Sequence, residues 1–417
     1  MFFYLIKGVP LIMVEIKPFK GTRPYNEDAK NLIAPSTDHL SIENIEIFKK
    51  NNYWNYLKIL NPVGQLKEKD TLLEAKSHFN EMKENDVIKK DEELFYYIYQ
   101  IEFKGHTQLG FLSLSKISDF VDGRIKAHEK IYESRMRERA EQMLNIKTQI
   151  GPIYVVYKKN NNIKNLLSSV ISETPDYDFE SFDKSIHKLW CVSDKPFIEK
   201  LSSLFINEVD NFYIADGHHR MGAMQIIGEL NYNKNILQEN FMTAAFPSDE
   251  AKIFDYNRVV KDLNGLSEEK FLEILSENFE IKNEDNPFKP QSNQQFGMYH
   301  EKKWYSLHFK TELKTNNFID TLDINILNNY IFKKHLNISD VNNDERIRFI
   351  AGCHGLEALE KKVDENNDSV AFSIFPSSIS DVIRVADKKL TMPPKSTWFD
   401  PKPLDGLVVY EFEKIYE

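Results

Sequence analysis

The 417-residue chain is 41% hydrophobic and 28% charged, larger than one ordinary domain and apolar enough for two cores or one large elaborated one. Its formal charge of −10, from 64 acidic against 54 basic residues, argues against a broad nucleic-acid or anionic-membrane footprint and leaves room for a local basic pocket. Two cysteines, Cys191 and Cys353, exclude a disulfide framework and a cysteine-built metal cluster, and their default reading is two reduced thiols in a cytoplasmic protein.

The first dozen residues are apolar, but Lys7 and Pro10 interrupt them and no basic residue precedes them. They read as neither a signal peptide nor a membrane span, and Met13 is the expected natural start, with 1–12 an over-extended N-terminus. Residues 14–24 look extended and end in the turn Gly21-Thr22-Arg23-Pro24, and 34–38 is a second irregular segment. A helix is expected over 72–85, and the runs 94–103 and 108–114 read as a buried hairpin around Lys104-Gly105. Turn residues at 119–125 lead into Lys126, His128 and Glu129. Met136, Ala140, Met143 and Leu144 keep helical spacing, with Arg135, Arg137 and Arg139 at other positions, some of them plain surface residues.

A strand is expected at 153–157, a helix at 166–171, a strand at 189–192 and a helix at 197–205. Beyond the central motif, strands are expected at 242–246 and 253–260, an amphipathic helix at 266–279, a polar linker at 283–295 and a hairpin at 296–309. Helices at 322–336, 356–366 and 379–388, a strand at 370–375 and a last strand at 407–412 complete the reading. The alternation predicts a mixed α/β fold: a core over 13–262, a second, smaller α/β lobe over 263–390, and a segment 391–417 that returns to the core.

The central motif is Phe212-Tyr213-Ile214-Ala215-Asp216-Gly217-His218-His219-Arg220. An apolar strand meets a tight turn, and Met221, Met224 and Ile227 then fall on one face of a helix. The first turn of such a helix offers backbone N–H groups and the positive end of its dipole, so it suits an anion. Gly217 lets a ligand approach the backbone, while His218, His219 and Arg220 add donors, and phosphate is the anion this set suits best. The plainer alternative is a helix cap at Asp216 with solvated basic neighbours.

Two further clusters carry chemistry. Glu129 is the general-base candidate outside the motif, with Lys126 and His128 near enough in sequence to tune it. Lys395, Ser396 and Thr397 are the residue types of a phosphate loop, but the GxxxxG spacing is missing and Pro393-Pro394 removes two backbone donors, so a rigid turn explains them equally well. Tyr132 occupies the second histidine position of an HExxH helix, and Cys353-His354 shows only sequence adjacency, so neither carries a metal or nucleophile assignment.

Phe19-Lys-Gly-Thr-Arg-Pro24, Ala34-Pro35, Ile125-Lys-Ala-His-Glu129, Ala215-Asp-Gly-His-His-Arg220 and Met392-Pro-Pro-Lys-Ser-Thr397 with Pro401-Lys-Pro403 together resemble the prokaryotic domain-of-unknown-function family 1015. The Asp-Gly-His-His-Arg segment is in turn similar to the phosphate turn of the ParB/sulfiredoxin superfamily, which includes nucleotide-dependent free serine kinases. The resemblance implies a ParB/sulfiredoxin-like core in which Gly217, His218, His219 and Arg220 hold nucleotide phosphates and Glu129 matches the catalytic glutamate of the serine kinases. His218 stands where sulfiredoxin carries its reactive cysteine, which argues against that activity.

The expectation is therefore a Mg²⁺-dependent kinase using ATP or ADP to phosphorylate a hydroxyl of a small metabolite, L-serine first. Glu129 would take the proton, aided by Lys126 and His128. Asp216 or Glu129 would share the metal, Lys395 would neutralise charge on the transferring group with Ser396 and Thr397 as further phosphate contacts, and Arg23 would hold a substrate carboxylate. No membrane partner is expected, the acidic balance argues against nucleic acid, and homo-oligomerisation is left open. The alternatives are a ParB-like nucleotide switch without turnover and a phosphate-ester hydrolase using the same anion pocket.

Overall fold

The computed structural model describes residues 13–25, 28–34, 42–60, 69–234, 238–365 and 369–412. The expectation for 1–12 and most of the irregular 34–38 segment lie outside these residues. Contacts divide the chain into two units, one of Met1–Ala127, Ile131–Ala251 and Pro401–Glu417, the other of His128–Lys130 and Lys252–Asp400. The division falls at Ala251, where the sequence reading put 262, and of the expected returning segment only Pro401–Glu417 belongs to the first unit.

In the first unit the strands Tyr96–Phe103 and His106–Lys116 form a hairpin about Lys104 and Gly105, both at positive φ (50° and 73°). A two-residue loop of that conformation matches the twist of the strands it joins. Both strands are buried on both faces over most of their length. Among the described residues the sheet runs 125–126, 212–216, 153–157, 240–247, 106–116, 96–103, 186–192, 177–180, with 16–17 added beside one end of 106–116. Pairing is parallel between 125–126 and 212–216 and between 153–157 and 240–247, and antiparallel elsewhere.

The helix Lys195–Glu208 starts at Asp194, whose side chain accepts from the Phe197 N–H, and buries Phe197, Leu201, Leu204 and Phe205. The helix Glu133–Ile146 packs on the helix His218–Lys234. Tyr177–Glu180, unforeseen in the sequence, is an edge strand that alternates half-buried Tyr177 and Phe179 with exposed Asp178 and Glu180, too short and polar to stand out. The helix expected at 166–171 is Asn161–Ser168, set by the Asn160 side chain, which accepts from the N–H groups of Asn162 and Ile163.

The second unit is built on an antiparallel sheet ordered 279–284, 303–309, 295–300, 370–374, 256–260, 347–351. Phe271, Phe296, Leu327, Phe332, Phe372 and Val385 lie in its core. The amphipathic helix expected to reach 279 is Glu268–Leu275, and the supposed polar linker begins inside the strand Phe279–Glu284, where Phe279 and Ile281 turn inward between polar residues. The single strand expected at 253–260 breaks at Asp255: Ile253–Phe254 pairs with Trp398–Phe399, and Tyr256–Val260 joins the sheet. Of the strand expected at 407–412, only Tyr410–Glu411 pairs in a ladder, with 148–149.

Candidate functional site

Phe212, Tyr213 and Ile214 are at most 1% exposed, filling a slot between the strands Ile125–Lys126 and Ile153–Tyr157. The register slips between Ile214 and Asp216, so Ala215 is a bulge that re-aims the residue after it. Gly217 follows with φ +94°, and space does not demand glycine there, since a Cβ would find the Ile153 Cα no nearer than 3.6 Å; the backbone conformation does. The helix His218–Lys234 then begins, held in the core by Met221, Ala223, Met224 and Ile227. A turn of this form aims the start of a helix at whatever lies before it.

Asp216 lies 3.3 Å from the Lys402 ammonium and 3.8 Å from Arg220. Burial opposes its charge, but Lys402, then Arg220, then His218 outweigh it and hold the carboxyl at about 2. Arg220 donates through one guanidinium nitrogen to the Pro152 carbonyl at 2.8 Å and to Asp405 at 3.1 Å. His218 is 4% exposed, and its burial, with His219 beside it and against the pull of Asp216, lowers its pKa to about 4. It is therefore a neutral imidazole near pH 7, a donor without a charge of its own.

Arg139, on the helix Glu133–Ile146, donates to Gln142 at 3.0 Å. Its pKa is lowered by burial and next by Arg220, against Asp405 and Glu138, which sets its guanidinium within electrostatic reach of the Arg220–Asp405 pair. Lys402 and Arg220 thus face Asp216, and Arg220 also Asp405, at the positive end of the helix dipole, while Arg139 lies within electrostatic reach of Arg220, Asp405 and Glu138. Tyr132, 41% exposed, has its ring 5.9 Å from that of His219 and 5.9 Å from the Arg135 guanidinium carbon.

The Pro401–Leu404 stretch is laced into the same unit: Gln108 donates to the Pro401 carbonyl at 3.0 Å and the Leu404 N–H to the Tyr99 hydroxyl at 3.3 Å. Thr22 and Val409 exchange backbone hydrogen bonds of 2.9 and 2.8 Å, which brings the Gly21-Thr22-Arg23-Pro24 turn to this segment. Lys126 lies on the strand paired in parallel with the site strand, its ammonium 5.6 Å from the Tyr213 ring centre. Arg23 donates to Asp91 at 2.8 Å and to the Tyr177 hydroxyl at 3.0 Å, while Asp91 also accepts from Tyr97 at 2.7 Å. Two of its guanidinium nitrogens are already engaged within the protein.

The cluster read as Lys126, His128 and Glu129 divides at Ala127, so His128 and Glu129 belong to the second unit. His128 is 1% exposed, with its Nε2 3.2 Å from the Thr397 hydroxyl, and its carbonyl accepts from the Met392 N–H at 2.8 Å. Glu129 sits half-buried in a bend. Lys395 takes φ +55°, its carbonyl accepting from the fully buried Arg258 at 2.8 Å. The Ser396 hydroxyl donates to the Pro393 carbonyl at 2.5 Å, so Ser396 and Thr397 both have hydrogen-bond partners within the unit.

Sequence reasoning missed Arg139, Lys402 and Asp405. Lys402 stood in a quoted motif without a role, and only its spacing to prolines marked it. Among the described residues no group of three or more His, Cys, Asp or Glu is placed to hold a metal ion, and no helix is long and apolar enough to cross a membrane.

The model of a family described as a protein of unknown function (DUF1015) matches residues 16–325. No curated protein matches the chain. Among solved structures, a free serine kinase in complex with AMP is similar at 14% identity and TM-score 0.37, covering 71% of this chain and 92% of its own. SbnI with a C-terminal truncation, from Staphylococcus aureus, is similar at 12% identity and TM-score 0.39, covering 70% and 85%. A conserved hypothetical protein from Pyrococcus furiosus is similar at 12% identity and TM-score 0.34, covering 70% and 91%.

Proposed function

The chain belongs to the DUF1015 family of proteins of unknown function, and we propose that it is a nucleotide-dependent phosphotransferase acting on the hydroxyl of a small metabolite, L-serine first. In this reading the first unit is a ParB/sulfiredoxin-like core and the donor is ATP or ADP. The observation that carries it is the cationic side chains gathered at the Asp216-Gly217 turn, Lys402 and Arg220 on Asp216, at the start of a 17-residue helix. Such a set suits the phosphates of a nucleotide, with Gly217, His218, His219 and Arg220 as their cradle. Neutral His218 would donate a hydrogen bond, and the exposed face of Tyr132 offers a base a surface to stack on.

Asp216 is drawn to two cations, so it is a poor metal ligand without displacing Lys402. Mg²⁺ would enter with the nucleotide, keeping phosphate and water ligands and at most one carboxylate, for which Glu129 is the candidate. Glu129 is the proposed base for the acceptor hydroxyl, with His128 as its supporting group. Lys395, Ser396 and Thr397 are the proposed secondary phosphate contacts, of which Lys395 alone carries charge. Arg23 is the weakest member, since a substrate carboxylate would have to compete with Asp91.

Phosphorus NMR of the full chain with Mg²⁺, ATP or ADP and L-serine, beside Glu129→Gln, tests the reading. Phosphoserine formed by the wild type and lost in the variant, with nucleotide still bound, is the expected result. Nucleotide binding without transfer would replace the enzyme with a switch, and free phosphate alone would make it a hydrolase.

A further inference from the structure

The second unit holds a cavity of about 60 Å³ lined by Asp323, Asp381, Lys395, Ser377, Thr321 and Asn293, with Phe318, Ile374 and Pro376 among its apolar walls. That is space for roughly four or five water molecules, enough for a compound of a few heavy atoms and far too little for a nucleotide. Its charged groups are arranged unusually. Asp323 is 8% exposed, its Oδ1 accepts from the Gln294 N–H at 2.8 Å, and its Oδ2 is buried with no hydrogen-bond partner.

Asp381 lies near enough to act on Asp323 electrostatically, and its own Oδ2 accepts from the Ser378 N–H at 3.0 Å and the Ser378 hydroxyl at 2.6 Å. Lys395, an exposed residue whose ammonium lies 5.7 Å from the centre of the Tyr256 ring, lines the rim of the same cavity, and among the described residues no ion pair joins it to either carboxylate. A buried carboxylate oxygen without a donor is costly, and a cavity that presents both charge signs without pairing them is complementary to a ligand carrying both.

We propose that this cavity binds a small free α-amino acid, its ammonium received by Asp323 and Asp381 and its carboxylate by Lys395, with the Ser377 and Thr321 hydroxyls as further polar contacts. A bare divalent cation would leave Lys395 as a repulsive neighbour, and a simple amine would leave it unused. Burial first, then Asp381, raise the Asp323 carboxyl to about 7 against the stabilising Gln294 N–H. An ammonium seated at Oδ2 supplies the counter-charge that this group lacks. The inference goes beyond the phosphotransferase reading and gives Lys395 to a carboxylate in place of a phosphate.

Isothermal titration of the full chain with L-serine and with glycine tests it, beside Asp323→Asn and Lys395→Met, with ethylamine, sodium acetate and MgCl₂ as separate titrants. Saturable binding of an amino acid, weakened at least tenfold in each variant, with ADP affinity unchanged in Asp323→Asn and neither variant melting below wild type, is the expected result. The site is overturned if neither amino acid saturates or if Asp323→Asn binds as tightly as wild type. It is equally overturned if ethylamine or Mg²⁺ binds as well and displaces the amino acid, or if Lys395→Met weakens ADP and leaves the amino acid alone. ADP binding in the wild type is read in the same experiment, so failure of the nucleotide reading is seen separately.

Discussion

Arg220 and Asp405 are joined at 3.1 Å, and the backbone of Gly151 lies directly against that pair. The guanidinium nitrogen that reaches Asp405 also donates to the carbonyl of Pro152. One arginine therefore ties the motif helix, the strand Ile153–Tyr157 and the segment from Pro401 together, and its aim depends on a residue with no side chain. The carboxylate partner also offsets part of the charge that Arg220 brings to the turn.

Gly151→Ala should break this arrangement. Its Cβ would overlap the Asp405 carboxylate and the Arg220 guanidinium, and neither can retreat without losing the other. A cost of about 1–3 kcal/mol is expected for such overpacking, seen as a lowered thermal midpoint together with at least tenfold weaker ADP binding by titration. A variant that lost stability but kept ADP affinity would show that the pair is structural only.

Lys402→Met removes the nearest counter-charge of Asp216. The two side chains are 15% and 37% exposed, so solvent screens the pair and the loss at neutral pH should be no more than about 1 kcal/mol. The pH dependence is the sharper readout. A carboxyl held at about 2 in the folded state contributes stability above its ordinary range near 4, and that stability is lost as pH falls toward 2. Melting curves between pH 7 and 2 should show a shallower acid loss for Lys402→Met than for wild type.

How far the site could be read from the chain follows from where its parts come from. Phe212 to Arg220 were legible because strand, glycine turn and helix are consecutive and each is dictated by local residues, whereas the bulge at Ala215 depends on pairing with a distant strand. The hairpin about Lys104-Gly105 was legible for the same reason. Lys402 and Asp405 were not, because their segment has almost no ladder of its own and is positioned by Gln108 and Tyr99 on distant strands and by the Ile150 carbonyl. Arg139 resembles Arg135 and Arg137 in sequence, and only the packing of its helix on the motif helix separates a half-buried guanidinium from a solvated one. The strand Phe279–Glu284 was mistaken because its polar residues continue smoothly from the preceding helix.

His218 should weaken the fold as it is acidified. Its folded pKa, about 4, lies below the ordinary value of 6.5, so the unfolded chain takes up the proton first. Stability is then fully present above about pH 6.5 and is lost as pH falls toward 4. His218→Gln keeps a donor without a titrating ring, so its thermal midpoint should fall less than that of wild type between pH 7.5 and 4.5. Equal slopes would mean that His218 takes up its proton alike in the folded and unfolded chain, so that burial does not hold it neutral.

Asp323 has the opposite sign. Its carboxyl is raised from an ordinary 3.8 to about 7, so the folded protein holds a proton that the unfolded chain releases. The contribution is fully present below about pH 4 and is lost as pH rises to 7, a difference of a few kcal/mol for a shift of this size. Asp323→Asn carries no proton to lose, so the second unit of that variant should melt above wild type at pH 7.5 and close to it at pH 4. Saturating L-serine should raise the wild-type midpoint at pH 7.5, because a bound ammonium stabilises the ionised carboxylate, and should do little for Asp323→Asn or for either protein at pH 4. Stabilisation by L-serine that is equal at both pH values would place the amino acid elsewhere, since only a ligand at Asp323 has to wait for that proton to leave.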